Sequence, residues 1–295
     1  MKKNKAIDTG YGIPVNKAMG MLYPKEQRIY NDPFSEKILS GFGKWFIKLM
    51  YFPWFHRFIT NFYEKKYPGM LGYFFCRFRY YDDVVIECLQ KKEIEVIVNL
   101  GAGMDCRAYY IPGIENLHYY EIDHPSVIEK KKEKIKKVLG KLPKYVTYVG
   151  VDFNNQSIED ELKEIGYDLS SKTLFIWESV SAYLTKEAND SIFKFVSKSV
   201  LGNKFVFSYT TMDFMTGKNL DHKTMQVLYK RIMVKKELKL QHGFEQDTIE
   251  NYLSGFSLST IEHIGAEEFK ERYIQPINID LDVVEVERLV LVEVK

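Results

Sequence analysis

Apolar residues recur along the chain in two periods, and the switches between them lay out the fold. Ile94, Val96, Ile97, Val98 and Leu100 form a short apolar run rich in β-branched residues, as a strand covered on both faces requires. Comparable runs over 118–123, 145–151, 173–177 and 204–209 predict four more strands. A sixth is predicted over 256–264, and the alternation of Val284, Val286, Leu289 and Leu291 predicts a terminal strand or hairpin over 283–295. Between them the pattern predicts helices over 125–139, near 156–166 and over 246–253, with Pro125 suited to a first helical turn. Strands alternating with helices are the pattern of an α/β chain with a mostly parallel sheet.

Ahead of the first strand the pattern changes. Residues 21–92 are crowded with aromatics, from Trp45, Phe46, Tyr51, Phe52 and Trp54 to Tyr73, Phe74, Phe75 and Phe78. Their spacing predicts helices broken at Pro53 and Pro68. Asn31-Asp-Pro-Phe34 predicts a helix start capped by Asp32, and the stretch from Arg77 to Asp83 predicts the start of the helix feeding the first strand. Over 42–59, aromatics are interleaved with Lys44, Lys48, His56 and Arg57. That admits a helix lying in a membrane interface, or a helical cap packed over the sheet, which is the preferred reading. Residues 1–20 are basic and contain glycine, and are expected to be loose until something covers them. Residues 213–243 interrupt the strand–helix alternation and are expected to be a lid insertion. The expected organisation is therefore a cap over 1–92 and a core over 93–295, forming one compact unit.

The first strand ends in Gly101-Ala-Gly-Met-Asp-Cys106. Gly101 and Gly103 allow a tight turn and let the backbone approach a ligand that a Cβ would push away. A helix following directly would aim its unpaired N–H groups at that ligand. Cys106 stands where GxGxxG has its third glycine, so the turn alone is a weak signal. About twenty residues later the second strand ends in Glu121 and Asp123, the spacing at which such folds place a ribose-binding acid. Asp123 is the candidate for that role. The alternative is that Glu121 or Asp123 caps the helix over 125–139.

Four motifs occur in order: Asn-Leu-Gly-Ala-Gly-Met-Asp (99–105), Tyr-Glu-Ile-Asp-His-Pro (120–125), Val-Asp-Phe (151–153) and Leu-Phe-Ile-Trp-Glu-Ser-Val-Ser-Ala-Tyr-Leu (174–184). Together, over roughly residues 20–210, they resemble the leucine carboxyl methyltransferases and the related bacterial polyketide O-methyltransferases. The resemblance implies a class I methyltransferase: a Rossmann-like, doubly wound, mostly parallel seven-stranded sheet that binds S-adenosylmethionine and releases S-adenosylhomocysteine. It implies that the N-terminal helices cover the substrate pocket, and that an arginine about twenty-five residues before the glycine turn holds methionine's carboxylate. Arg77 fits that place best. Arg79 is its competitor, and residues two apart cannot share a helix face. The resemblance also implies adenine contacts from Asp152 and Phe153, although Asp152 could instead cap the helix near 156–166. Glu178, at the end of the fourth strand, would meet methionine's ammonium. A carboxylate among Phe175, Ile176, Trp177 and Val180 would be costly to bury without such a partner. Tyr183 would face the acceptor as the catalytic-site candidate.

Composition narrows the partners. A net charge of +2 is too close to neutral to imply a nucleic-acid partner. Cys76, Cys88 and Cys106 form no CxxC, which suits a reducing cytoplasm. The chain shows no apolar leader and no uncharged apolar run of about eighteen residues, so neither a signal peptide nor a membrane span is expected. The expected acceptor is a carboxylate or hydroxyl of a small molecule or peptide, and the sequence is silent on oligomeric state. A carboxylate is already ionised near neutral pH and needs no base. A hydroxyl needs one, with His124, His222, Tyr183 and Tyr209 as candidates. Two other classes compete. An NAD(P)-dependent oxidoreductase is favoured by the glycine turn and its acid; a nucleotide-binding sensor without turnover would have a narrow or plugged pocket.

Overall fold

A computed structural model of the chain describes residues 12–295, so the expectation for residues 1–11 lies outside the described residues. Seven strands, β1 (Val96–Leu100), β2 (His118–Asp123), β3 (Val146–Gly150), β4 (Thr173–Trp177), β5 (Lys204–Tyr209), β6 (Leu258–Ile264) and β7 (Arg288–Val294), form one sheet. Their order is β3-β2-β1-β4-β5-β7-β6. The first five run parallel, whereas β7 is antiparallel to both β5 and β6. The C-terminal stretch thus contributes a single strand inserted between β5 and β6, without a hairpin of its own. Chain order reverses between β1 and β4, and that reversal opens a crevice at the strands' carboxyl ends. Register pairs Leu100 with Ile122 and Asn99 with Ile176, which brings the ends of β1, β2 and β4 level.

Side chains alternate across the sheet as the two-residue strand period dictates. Val96, Val98, Leu100, Phe175 and Trp177 join one core, while Ile97, Leu174, Ile176 and Val206 join the other. The second core is filled from the N-terminal side by helices α1 (Ile13–Gly20), α2 (Gly41–Met50), α3 (Pro53–Lys66) and α4 (Met70–Lys91). Helix α4 is buried on nearly every face, which explains why its sequence lacks a clear polar stripe. It starts at Met70, so Arg77 lies two turns in and not at its beginning. Gly69 precedes it at φ +74°, where a Cβ would meet the Val284 nitrogen at 2.6 Å.

Residues 13–20 form α1, covered by the other N-terminal elements, with Lys17, Ala18 and Met19 buried. Asp32 caps only one 3₁₀ turn, Ser35–Ile38, accepting from the Phe34 and Ser35 backbone N–H groups at 2.9 and 2.8 Å. No α-helix follows the glycine turn; the chain makes a loop and a 3₁₀ turn at Arg107–Tyr109. Asp105 is the physical reason. It accepts from the Arg107 backbone N–H, a bond that competes with a helical ladder, while Asn99 Nδ2 donates to its other oxygen and holds the side chain in place.

Helix α5 (Pro125–Leu139) is capped by the His124 ring, which accepts from the Ser126 N–H, so neither Glu121 nor Asp123 serves that purpose. Its lysine-rich run is not uniformly solvated: Lys131 is buried and lies 2.8 Å from the buried Glu121. Burial pushes the Glu121 carboxyl up to about 7 against the opposing pull of Lys131. A folded value above the ordinary carboxylate range means the native state holds this proton more tightly than the unfolded chain. Stability is therefore lost as pH rises through about 7. Lys131→Met strands the acid and is expected to cost about 3–5 kcal/mol at pH 8. The loss should be clearly smaller at pH 5, where Glu121 is protonated in either protein. Urea melts at the two pH values check this, and equal losses would assign the effect to packing.

Candidate active site

The carboxyl ends of β1, β2 and β4 open into a cavity of about 940 Å³. All the candidates, Arg77, Gly101, Gly103, Asp123, Asp152, Phe153, Glu178 and Tyr183, line it. Arg79 does not: it lies at the surface, donating to Asp83 at 2.7 Å and to the Ile29 carbonyl. The α4 helix thus separates the two arginines by sending one inward and one outward.

The glycine turn is fixed from below, where the Gly101 and Ala102 N–H groups donate to the Ile122 carbonyl at 2.7 and 2.9 Å. Gly101 has φ +70°, and a Cβ there would meet Val180 at 2.3 Å. Gly103 has φ +45° and faces open space. Its N–H donates to Asp123 Oδ2 at 2.7 Å, while the His124 N–H donates to Oδ1 at 2.6 Å. Burial raises the Asp123 carboxyl, and the two backbone donors pull it back. Each carboxylate oxygen keeps a lone pair for a further donor, as a vicinal diol would supply.

At the β3 end, Val151, Met104 and Phe153 supply apolar lining. Asp152 accepts from the Asn154 N–H and from Asn155 Nδ2, tying a turn together. The helix Ile158–Glu164 is capped by Ser157, so Asp152 is not its cap.

The opposite end is a buried ionic lattice. Glu178 is held by Arg77 Nε at 3.0 Å and by Arg107 Nη1 at 2.6 Å. Arg107 also grips Asp82 at 2.7 Å and Asp105 at 2.9 Å. Arg77 Nη1 donates to the Tyr73 hydroxyl at 2.7 Å and to Glu287 at 3.3 Å. The same guanidinium lines the cavity. Ser179, which follows Glu178, sits at φ +56° and donates to Glu287 at 2.6 Å. A serine in the left-handed region is strained, and such strain concentrates at functional turns.

Lys17, Asp105, Arg107 and Glu287 escaped the sequence reading. The Lys17 ammonium is buried without a hydrogen bond, 3.2 Å from Asp32 and 3.6 Å from Asp105, over the ring of Phe78. Burial and Arg107 push it toward the neutral form, yet Asp32, Asp105 and Asp82 outweigh both and leave its pKa above the ordinary lysine value. Asp105-Cys-Arg107, directly after the glycine turn, was a visible signal. Lys17 and Glu287 had none, since Glu287 lies 210 residues from the arginine it meets.

Beyond Glu178 the lining turns to Tyr183, Phe74, Phe214, Leu228 and Ile232, with Arg231 and Lys239 among the charged groups. Of the four candidate bases, His124 and Tyr183 line the cavity. Tyr209 is buried and bonded to His263 at 2.8 Å, and His222 caps the helix Lys223–Tyr229.

With this geometry in place, the family model for leucine carboxyl methyltransferases matches residues 13–197, more than half of the chain. The chain belongs to the leucine carboxyl methyltransferase family. Its likeness extends to a putative S-adenosyl-L-methionine-dependent methyltransferase, YktD, of Bacillus subtilis (strain 168), 28% identical over 60% of this chain. The match spans 58% of that relative's length. A putative S-adenosyl-L-methionine-dependent methyltransferase of Mycobacterium ulcerans (strain Agy99) is 27% identical over 71% of both chains. A putative methyltransferase from Thermobifida fusca YX shares the fold at a TM-score of 0.58 and 13% identity, over 81% of this chain and 88% of its own. The donor that this leucine carboxyl methyltransferase family uses is S-adenosylmethionine, and the cavity's donor set fits it. The lining carries an acid with two acceptor oxygens at Asp123, a guanidinium at Arg77 and an ammonium at Lys17, the group types that a diol and a carboxylate require.

Proposed function

We propose that this member of the leucine carboxyl methyltransferase family transfers the donor's methyl group to a carboxylate oxygen of a small metabolite or peptide, forming a methyl ester. One observation carries the reading: Arg77, Asp123, Asp152 and Glu178, from four separate elements, converge on one cavity. When bound, S-adenosylmethionine supplies an already activated methyl carbon. Asp123 would hold the ribose hydroxyls, Asp152 and Phe153 the adenine, and Arg77 with Lys17 the methionine carboxylate. Glu178, immobilised by two guanidiniums, presents negative charge to the methionine ammonium. Tyr183 positions the acceptor. What remains for the protein is to hold donor and acceptor in line and to exclude water.

Of the two candidate bases that line the cavity, His124 is committed to capping α5 and Tyr183 is an ordinarily neutral phenol, so a carboxylate acceptor, which needs no base, suits the site. The cavity volume, about 940 Å³, lies near the top of the range that holds drug-sized ligands and leaves room for a second molecule beside a nucleoside. That supports turnover over mere sensing. The missing helix after Gly103 removes the N-terminus on which a dinucleotide's pyrophosphate would rest, which speaks against the oxidoreductase.

The test is transfer of labelled methyl groups to panels of carboxylic and phenolic metabolites. The expected product releases volatile methanol on mild alkali treatment. An alkali-stable methyl ether would overturn the ester reading.

A further inference from the structure

Helices α2 and α3 turn one face toward the core and leave the other bare. Ile47, Met50, His56 and Thr60 are buried, and His56 reaches the Met19 carbonyl of α1 at 3.2 Å. On the outer side Phe42, Trp45, Tyr51, Phe52, Trp54, Phe58 and Phe62 are all more than half exposed, with Phe42 at 73% and Trp54 at 70%. Trp54, Phe58 and Phe62 recur every fourth residue and so form one stripe along α3. Phe42 and Trp45 bring their rings within 5.5 Å on α2. Ring contacts run from Trp45 and Phe42 through Phe46 and Phe55 to Trp54, and exposed aromatics gathered on one helix pair mark an interaction site.

We infer that this face docks the protein on the surface of an anionic lipid bilayer. Charge decides between occupants. Residues 38–63 carry Lys44, Lys48 and Arg57 and no aspartate or glutamate, and Lys65 and Lys66 extend the basic margin, while the intervening Glu64 accepts from the Gly69 and Leu71 N–H groups. All five cations are exposed. Glu36, at the edge, is engaged by the Tyr51 hydroxyl at 2.7 Å. Exposed tryptophan and phenylalanine ringed by cations is the composition of an interfacial helix, whose rings enter the headgroup region while the cations meet anionic lipid. A second copy docked on the same face would bring two basic margins into one interface, with no carboxylate in residues 38–63 of either copy to pair them. No helix among the described residues is long and apolar enough to span a membrane, so the contact is superficial. Docking would place α1, which lines the cavity and packs beneath this pair, next to the bilayer.

The experiment is co-sedimentation of the full-length protein with phosphatidylcholine vesicles and with vesicles that also contain phosphatidylglycerol, alongside tryptophan emission. Trp177 is buried in the core, so a blue shift reports on Trp45 and Trp54. Expected is binding at least about tenfold tighter to the anionic vesicles, with a blue shift. The variant Trp45→Ser/Trp54→Ser/Phe58→Ser should lose binding and keep its thermal melt. Lys44→Gln/Lys48→Gln/Arg57→Gln should fall to the level seen with neutral vesicles. Failure to partition into either vesicle overturns the proposal. So does wild-type binding by the serine variant, or a dimer in sedimentation equilibrium that this variant alone dissolves.

Discussion

Asp123→Ala is expected to weaken S-adenosylmethionine binding by at least about 100-fold. The carboxylate oxygens are fixed by the Gly103 and His124 N–H groups, so the side chain waits in place and is not recruited by the ligand. Hydrogen bonds to a charged group contribute roughly 1.5–3 kcal/mol each. With the ribose placed on Asp123 as proposed, losing two such bonds removes roughly 3–6 kcal/mol, and about 1.4 kcal/mol corresponds to tenfold in affinity. Alanine also frees the Gly103 N–H and loosens the turn, which adds to the loss. Asp123→Asn keeps the shape and one acceptor and should lose less, about tenfold. Isothermal titration calorimetry on both variants, with melts to confirm folding, decides the matter. An affinity unchanged in Asp123→Ala would move the ribose away from β2.

The parts of this molecule that the sequence displays are those set by local rules. Strands β1, β4 and β5 announce themselves because buried parallel strands are unbroken apolar runs, and Pro53 and Pro125 mark helix starts because proline fits a first turn. Residues at strand tips were legible for the same reason: the topology carries Asp123, Asp152 and Glu178 to one rim once the strand order is known. The rest depends on contacts across long sequence separations. Nothing near Glu121 says that Lys131, one lysine among many in α5, turns inward to meet it. Nothing near Arg77 says that Glu287 waits beside β7. The missing helix after Gly103 was invisible because its cause is a side-chain competition for backbone donors. The aromatic N-terminal stretch held two readings, core cap and interface helix, and the structure shows why periodicity could not separate them: one face is buried and the other is bare.

Arg107→Met should destabilise the fold more than any substitution on the cavity's apolar side. Arg107 is fully buried and bonds Asp82, Asp105 and Glu178 at once. Removing it leaves three acids facing one another, with Lys17 and Arg77 the nearest cations to them. Breaking a buried ion pair in this way costs about 3–5 kcal/mol, and in a chain of this length that lowers the melting temperature by roughly 6–10 °C. The pH dependence carries a sign. Burial already raises Asp82 to about 6 in spite of Arg107 and Lys17, whereas Asp105 is held well below the ordinary range, chiefly by Arg107 against its burial. In the variant both carboxyls move upward, so the native state takes up protons that the unfolded chain releases. The stability deficit relative to wild type should therefore be largest near pH 8 and shrink toward pH 5, as Asp82 and Asp105 become neutral. Arg107→Lys keeps the charge but cannot reach three carboxylates with one planar fork, and should fall between the two. Urea denaturation of the three proteins across that range distinguishes lost charge from lost packing, because a packing defect would produce a deficit that does not vary with pH.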